Sequence, residues 1–341
     1  MKPYVLGIDI GGTNTVIGIV DARGSVIASD SIKTAKHSKL EDYIDELYTT
    51  ASRLIENNDA TDKIHGIGIG APNANYYTGI IEQGVNLPWP TPIPLARLIS
   101  EKFGIPVAIT NDANAAAIGE MTYGAARGLK DFIMITLGTG VGSGIVINGQ
   151  MVYGHDGFAG ELGHVIVKRN NGRLCGCGRT GCLEAYCSAT GVARTAREFL
   201  EIRNEPSSLR NLPIEDITSK DVYDAAINGD NLAKDVFEYT GKILGEAMAD
   251  MTVFSSPEAF ILFGGLSKSG ELLLKPLRNA MDKNMLGVFK GKPKVMLSEL
   301  KEADAAVLGA SALGWEAKPL QPAQAAPAVP AQPVAPAAPQ A

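Results

Sequence analysis

The chain has 341 residues, of which 45% are hydrophobic and 20% are charged, and its formal net charge at pH 7 is −6. This length suits two domains of an ordinary globular protein, whereas the acidic balance argues against non-specific nucleic-acid binding, which depends on clustered positive charge. No apolar run approaches the roughly 20 residues that span a bilayer, and the first residues lack a secretory signal pattern. We therefore expect a cytoplasmic protein without nucleic-acid or membrane partners.

The first predicted elements are two β-strands joined by a glycine-rich turn. The strand that ends at Ile10 is followed by Gly11-Gly12-Thr13-Asn14, and a β-branched run then reaches the turn signal Asp21–Gly24. A Rossmann unit would open a helix at its glycines, and a P-loop would carry Gly-Lys-[Ser/Thr], so neither motif fits. Such a hairpin can bring backbone N–H groups up to phosphate and place the Asp9 carboxylate where Mg²⁺ would sit, although an ordinary hairpin has the same pattern.

The next part of the chain alternates helices with strands. Apolar residues recur at helical spacing over 39–57, and a second helix is predicted over 93–103, while 64–70 and 106–110 resemble short buried strands. Asn111-Asp112 follows the carboxyl end of the strand 106–110, just before a predicted helix over 113–121. Asp112 is therefore either the N-cap of that helix or a carboxylate at the carboxyl end of a strand, where α/β sheets bind ligands.

A second strand-turn-strand pattern echoes the first. A strand over 132–137, a turn over 138–144 and a strand over 145–147 lead into Asn148-Gly149. A third strand, 259–263, runs into Gly264-Gly265. Chance is one explanation of this short echo. Duplication is the other, and it predicts two α/β halves that each present a phosphate loop to a shared cleft.

The cysteines form a cluster with metal-ligand spacing. Cys175, Cys177 and Cys182 are separated by glycines and follow His164, and thiolates with one imidazole suit tetrahedral Zn²⁺. The alternative is that these cysteines are simply small buried residues. A site of three Cys and one His has no open position, so we expect a structural zinc. Cys187 is expected to be a buried thiol.

Together these motifs resemble the ROK family of sugar kinases and sugar-responsive repressors, and within it the bacterial glucokinases. The resemblance runs from about Tyr4 to Trp315 and implies an α/β, actin-like ATPase (ribonuclease H-like) fold, duplicated into two domains with a cleft between them. The segments that carry it are Asp9-x-Gly11-Gly12-Thr13, Asn111-Asp112-Ala113-Asn114-Ala115, Leu137-Gly138-Thr139-Gly140, Gly160-Glu161-Leu162-Gly163-His164 and Cys175-Gly176-Cys177-Gly178-x-x-Gly181-Cys182-Leu183-Glu184.

This fold divides the chain into a small N-terminal domain over 1–120, completed by a C-terminal helix at about 303–318, and a large domain over 121–302 with the zinc loop. Residues 319–341 are almost entirely Pro, Ala, Gln and Val and carry no charge. We therefore expect them to form a disordered tail.

The resemblance also implies individual roles. Asp112 is the catalytic base, and the structural zinc is held by His164, Cys175, Cys177 and Cys182. The sugar contacts are Asn73, Asn86, Asn111, Asp112, Glu161, His164 and Glu184. The ATP phosphates meet Gly11, Gly12, Thr13, Asn14, Gly138, Thr139 and Gly140, with Mg²⁺ near Asp9 and adenosine near Gly264 and Gly265.

One position departs from the family's pattern. Many relatives carry Pro-Gly after the strand 64–70, whereas this chain carries Pro72-Asn73. Asn adopts left-handed backbone more readily than most residues, so we expect the turn to persist. The Asn73 side chain then enters a region that similar enzymes use near the sugar, which leaves the exact hexose open.

The predicted function is ATP-dependent phosphorylation of the 6-hydroxyl of glucose. N-acetylmannosamine or another hexose is the alternative substrate. A sugar-responsive repressor is a second class, but residues 1–5 leave no room for a helix-turn-helix domain ahead of the first strand. A catalytically silent sugar-binding protein is disfavoured because Asp112 and both phosphate turns are intact. The resemblance further implies a homodimer.

Overall fold

The computed structural model describes residues 2–83, 87–300 and 302–319. Two sequence predictions lie outside this part of the chain: the sugar contact Asn86 and the Pro/Ala tail from residue 320 onward. None of the helices in these described residues combines the length and the apolar composition that a membrane span requires.

The first half of the chain builds a five-stranded mixed sheet with the order β3-β2-β1-β4-β5. β1 and β2 form the predicted antiparallel hairpin, with Ile10 opposite Thr15. β4 and β5 extend the sheet in parallel from β1. The strands are β1 (Tyr4–Ile10), β2 (Thr15–Asp21), β3 (Val26–Ile32), β4 (Ile64–Gly70) and β5 (Val107–Thr110).

The second half builds another five-stranded sheet, with the order β10-β9-β6-β7-β8. β6, β7 and β8 form an antiparallel meander, and β9 and β10 add in parallel to β6. The strand order and the strand orientations are the same as in the first sheet. The similarity predicted for the two hairpins therefore extends to both five-stranded sheets. The strands are β6 (Phe132–Leu137), β7 (Val141–Ile147), β8 (Gln150–Met151), β9 (Ala259–Phe263) and β10 (Lys294–Leu297).

Helices cover the sheets and bury their apolar side chains in separate clusters. α1 and α2 pack with the first sheet, while α5 to α8 contribute to the core of the second. The helices are α1 (Leu40–Asn57), α2 (Leu95–Phe103), α3 (Asp112–Tyr123), α4 (Glu184–Cys187), α5 (Ala189–Ile202), α6 (Ser219–Ile227), α7 (Asn231–Ser255), α8 (Glu271–Asn284) and α9 (Glu302–Gly314).

The C-terminal helix returns to the first sheet. α9 packs on β1 and β4 at backbone distance, because a Cβ atom placed on Gly68 would lie 1.9 Å from the carbonyl oxygen of Ala310. The division into domains at residues 120 and 302 remains a prediction.

α3 connects the two sheets. It starts directly after β5 of the first sheet and packs on β7 of the second. A Cβ atom on Gly142 would lie 2.9 Å from the Ala113 Cβ, and one on Gly144 would lie 2.6 Å from the Ala117 Cβ. The start of α3, at Asp112, is therefore held against the second sheet.

The same contacts correct one sequence prediction. The turn predicted over 138–144 is wrong, because β7 begins at Val141 and the turn is limited to Gly138-Thr139-Gly140. Gly142 and Gly144 are strand residues whose missing side chains let α3 approach. The spacing of these glycines in the sequence indicated a loop, whereas in the structure they allow β7 and α3 to pack closely.

Candidate functional site

Two of the glycine turns lie side by side at the edge of the second sheet. Gly138–Gly140 follows β6 and Gly264–Gly265 follows β9, and these two strands are parallel neighbours. Gly264 has a φ of +99°, and a Cβ atom on it would lie 2.6 Å from the carbonyl oxygen of Leu137. Only glycine fits this approach, so the pairing of the two turns depends on Gly264.

The turn after β1 and the turn after β6 are each closed by one backbone hydrogen bond. The Gly11 N–H group donates to the Asn14 carbonyl at 3.0 Å, and in the second turn the Gly138 N–H group donates to Gly140 at 3.1 Å. Within the described part of the chain, the next N–H groups of both turns have no hydrogen-bond acceptor; they belong to Gly12, Thr13, Thr139 and Gly140. Both turns therefore offer backbone donors of the kind that bind phosphate oxygens.

Two carboxylates flank the end of β4. Asp9 pairs with Gly70 across the parallel ladder, and a Cβ atom on Gly70 would lie 3.5 Å from Asp9 Oδ1 and 3.8 Å from the Asp112 Cα. Burial, with the nearby charge of Asp112 as a second cause, raises the pKa of Asp9 to about 6. A divalent cation would relieve this repulsion, and oxygen ligands suit Mg²⁺.

The structure decides between the two interpretations of Asp112. Asn111 is the N-cap of α3, since its side chain accepts the Asn114 N–H group at 2.7 Å. Asp112 is the first residue of the helix, and one of its oxygens accepts the N–H group of Ala113 at 2.8 Å. Water reaches its side chain, but protein surrounds the remaining sides, and this desolvation raises the pKa of Asp112.

Glu161 is positioned by Ser143 of β7. The Ser143 hydroxyl donates to the Gly160 carbonyl and accepts the Leu162 N–H group at 3.1 Å, so it holds the residues on both sides of Glu161. Sequence reasoning missed Ser143; its only signal was a polar residue in an otherwise apolar strand.

The predicted sugar contact Glu161 lies within electrostatic range of Glu184 and of Asp112. Burial raises the pKa of Glu161, the charges of Asp112 and Glu184 raise it further, and His164 opposes the shift. Glu184 accepts the Val141 N–H group at 3.0 Å. These groups come from three separate segments and lie within electrostatic range of one another, so together they can contact several hydroxyls of one small ligand.

Asn73 has the backbone that was expected, with a φ of +51°. Its side-chain amide donates to the Gln83 carbonyl at 2.7 Å. In this structure the Asn73 side chain therefore holds the segment that follows it, and its predicted contact with the sugar stays a prediction.

The predicted zinc ligands form one compact group. The ligand atoms of His164, Cys175, Cys177 and Cys182 all lie within 4.8 Å of one another. The Cys177 and Cys182 sulfurs are 3.7 Å apart, and the Cys175 sulfur is 3.8 Å from His164 Nδ1. Zn–S bonds of about 2.3 Å in a tetrahedron put ligand atoms roughly 3.8 Å apart, so this donor set fits zinc.

His164 has a different neighbour for each ring nitrogen. Its Nδ1 faces Cys175, whereas its Nε2 lies 4.0 Å from a carboxylate oxygen of Glu161. Cys187 lies apart from this group; it is fully buried, and its sulfur contacts the Thr240 carbonyl at 3.6 Å.

Arg173 binds the cysteine loop, residues 168–182, to helices α4 and α5. Its guanidinium donates to the Ala185 carbonyl at 3.0 Å and to Glu198, and it lies 4.5 Å from the centre of the Tyr186 ring. Ala185 is next to Glu184, so Arg173 links the loop to a predicted sugar contact. A single arginine has no spacing signal, so the role of Arg173 was not predicted from the sequence.

Comparison with known proteins agrees with this arrangement. The model of the ROK family matches residues 5–317. A glucokinase of Halalkalibacterium halodurans is 36% identical over 92% of this chain and 95% of its own length, and one of Thermotoga maritima is 35% identical over 92% and 97%. The structure of a ROK family glucokinase from Streptomyces griseus, in complex with glucose and AMPPNP, superposes with a TM-score of 0.75 at 33% identity, covering 92% of this chain and 99% of that one. The predicted actin-like α/β fold is thereby confirmed.

Proposed function

Because the chain belongs to the ROK family, we propose that it is an ATP-dependent hexose kinase that phosphorylates the 6-hydroxyl of glucose. The observation that carries this proposal is the position of Asp112, which lies beside Asp9, within electrostatic range of Glu161, and at the start of the helix that joins the two sheets. The relatives at 32–36% identity that carry the name glucokinase support it.

Asp112 is the proposed general base. Its carboxylate accepts the proton of the sugar hydroxyl while that oxygen forms a bond to the γ-phosphorus, and the bond between the γ-phosphorus and the bridging oxygen of ADP breaks. The raised pKa of Asp112 brings its basicity closer to the working pH, which favours proton transfer. The products are ADP and the sugar 6-phosphate.

The glycine turns are the proposed phosphate contacts. The N–H groups of Gly12, Thr13, Thr139 and Gly140 are available for phosphate oxygens, and adenosine is assigned to Gly264 and Gly265. Asp9 would hold Mg²⁺, which neutralises charge on the phosphates when bound.

Glu161, Glu184, Asn111 and the Nε2 atom of His164 are the proposed hydroxyl contacts of the hexose. Carboxylates accept hydrogen bonds only, whereas an amide or imidazole can also donate, so this set fixes the orientation of a ring of hydroxyls. Asn73 and Asn86 remain further predicted contacts.

We also propose that His164, Cys175, Cys177 and Cys182 hold one structural zinc. Bound zinc would fix the loop between His164 and Glu184 and orient the His164 ring. The proposed quaternary state is a homodimer and the proposed location is the cytoplasm; light scattering of the purified protein tests the first.

Release of ADP by the purified protein tests the function. Glucose is expected to give the highest kcat/KM in a panel with N-acetylmannosamine, N-acetylglucosamine, mannose, fructose and allose. A preference for N-acetylmannosamine would support the alternative substrate, and no ADP release with any of these sugars would contradict the kinase assignment.

The variant Asp112→Asn tests the base. It keeps the shape of the side chain but cannot take up the proton, so kcat is expected to fall about 10²–10⁴-fold while glucose binding by calorimetry stays measurable. Asp30→Asn, which only removes a surface ion pair with Arg53, is the matched control. Near-normal turnover in Asp112→Asn would remove Asp112 from the mechanism.

A further inference from the structure

Asn75, in the segment after β4, is a buried amide whose two ends are both used. It is 1% exposed. Its Oδ1 accepts the Tyr77 N–H group at 2.9 Å, and its Nδ2 donates to Glu82 Oε1 at 2.8 Å and to the Asp156 carbonyl at 2.7 Å. The orientation of the amide follows from these partners, since the two acceptors require the nitrogen.

The bond to Asp156 joins two segments that are distant in sequence. Gly157 packs on the same amide, because a Cβ atom there would lie 2.5 Å from Asn75 Oδ1. The Tyr77 hydroxyl adds a bond to the Gly154 carbonyl at 3.0 Å. We call these five residues (Asn75, Tyr77, Gly154, Asp156 and Gly157) the clasp.

Each side of the clasp leads to a proposed sugar contact. On one side Asn73 lies two residues before Asn75, in the turn that follows β4. On the other side, Glu161 lies four residues after the segment 154–157. Ser143 bonds the backbone of the residues immediately before and after Glu161. The clasp therefore sets the distance between two parts of the hexose site without itself supplying a sugar ligand.

We propose that Asn75 is a positioning residue for the hexose site, acting through the loop that carries Glu161; this inference rests on the proposed kinase function. An aspartate at position 75 would direct a carboxylate at the Glu82 carboxylate and the Asp156 carbonyl, two acceptors without a proton to share. Repulsion would replace two hydrogen bonds, and the segment 154–157 would lose its fixed position.

Three variants separate positioning from stability: Asn75→Asp, Glu82→Gln and the double variant. In the double variant the new amide at position 82 can donate to the new carboxylate at position 75. The hydrogen bond between the side chains at positions 75 and 82 is then restored, whereas the bond from position 75 to the Asp156 carbonyl is not.

The expected result is a roughly tenfold rise in KM for the hexose in Asn75→Asp that persists in the double variant, with KM for ATP changed by less than about twofold. Thermal stability is expected to fall in Asn75→Asp and to recover in part in the double variant, because only the bond between positions 75 and 82 is restored. Tyr77→Phe, a milder change at an exposed side chain that removes only the bond to Gly154, is expected to raise KM for the hexose about twofold.

Asn228→Asp is the matched control, since the Asn228 amide also donates to a backbone carbonyl, at the remote end of α6. Recovery of KM together with stability in the double variant would overturn the proposal, as would equal rises in both KM values or an unchanged KM in Asn75→Asp. Wild-type protein that neither binds nor phosphorylates any hexose would instead refute the function on which the inference rests.

Discussion

At the scale of single residues, the site is built at a cost to stability. Asp9 and Asp112 lie on either side of Gly70. Burial raises the pKa of both carboxyl groups, and the charge of Asp112 raises the pKa of Asp9 further. Such groups are typical of functional sites, where the arrangement serves a bound ligand rather than the empty protein.

Asp9→Asn is expected to stabilise the ligand-free protein at neutral pH. The folded-state pKa of Asp9, about 6, lies above its ordinary value of 3.8, so the folded protein binds this proton more tightly than the unfolded chain does. Ionised Asp9 therefore destabilises the fold above pH 6, by about 3 kcal/mol. This penalty shrinks as the pH falls from 6 to 4 and vanishes below the unfolded-state pKa.

Urea unfolding of wild type and Asp9→Asn, in buffer without Mg²⁺ or nucleotide and from pH 4 to 8, measures this difference in the free energy of unfolding. The free energy of unfolding is expected to be higher in Asp9→Asn than in wild type above pH 6, and the two are expected to be nearly equal at pH 4. A gain that is the same at every pH would show that the ionisation of Asp9 is not its cause.

At the scale of elements, the loop with the cysteines has little apolar surface of its own. Its described residues are glycine-rich and polar, and Cys177 is exposed. Arg173 fastens one end of the loop to α4 and α5, while the His164 and cysteine group closes the other. A metal is therefore expected to supply the order that a hydrophobic core supplies elsewhere.

Cys177→Ser is expected to lose one zinc per chain and to lower the melting temperature by about 5 °C or more, because structural zinc contributes directly to folding. Metal analysis by mass spectrometry and differential scanning calorimetry measure both effects. Cys187→Ala serves as the control, since Cys187 lies outside the cluster and this variant should keep its zinc. A zinc-free wild type that is equally stable would falsify the assignment.

At the scale of the whole molecule, the two ends of the described chain are tied into one half. α9, far from β1 and β4 in sequence, lies on both strands with no room for side chains at Gly7 and Gly68. The strands of the first sheet are contiguous in sequence, but the helix that covers β1 and β4 comes from the other end of the described chain.

Gly68→Ala is expected to lower the free energy of unfolding by about 3 kcal/mol, since the new Cβ would meet backbone atoms of Ala310 and Gly314 at 1.9 Å and 2.5 Å. Gly287→Ala, at a glycine with open space around it, should change the free energy by less than about 0.5 kcal/mol. Chemical denaturation compares the two, and equal stabilities would contradict the described packing of α9.

Local chemistry allowed much of this protein to be predicted from its sequence. The strands 64–70, 132–137 and 259–263 have the predicted bounds, because short β-branched runs between turn signals leave few alternatives. The cysteine spacing predicted the cluster, since glycines between ligands let a short loop curl around one point. The left-handed backbone of Asn73 also followed from its residue type.

Other features depend on contacts between distant segments, and no local pattern contains them. Asn111, and not Asp112, is the N-cap of α3. Gly142 and Gly144 allow α3 to pack closely and do not form a turn. The contacts of Ser143, Arg173 and Asn75 belong to no sequence motif. The sequence by itself determined the elements and the types of chemical group present. Tertiary structure alone decided which of those groups meet, because burial, charge repulsion and hydrogen bonding at a site are set by neighbours that the chain brings together only when it folds.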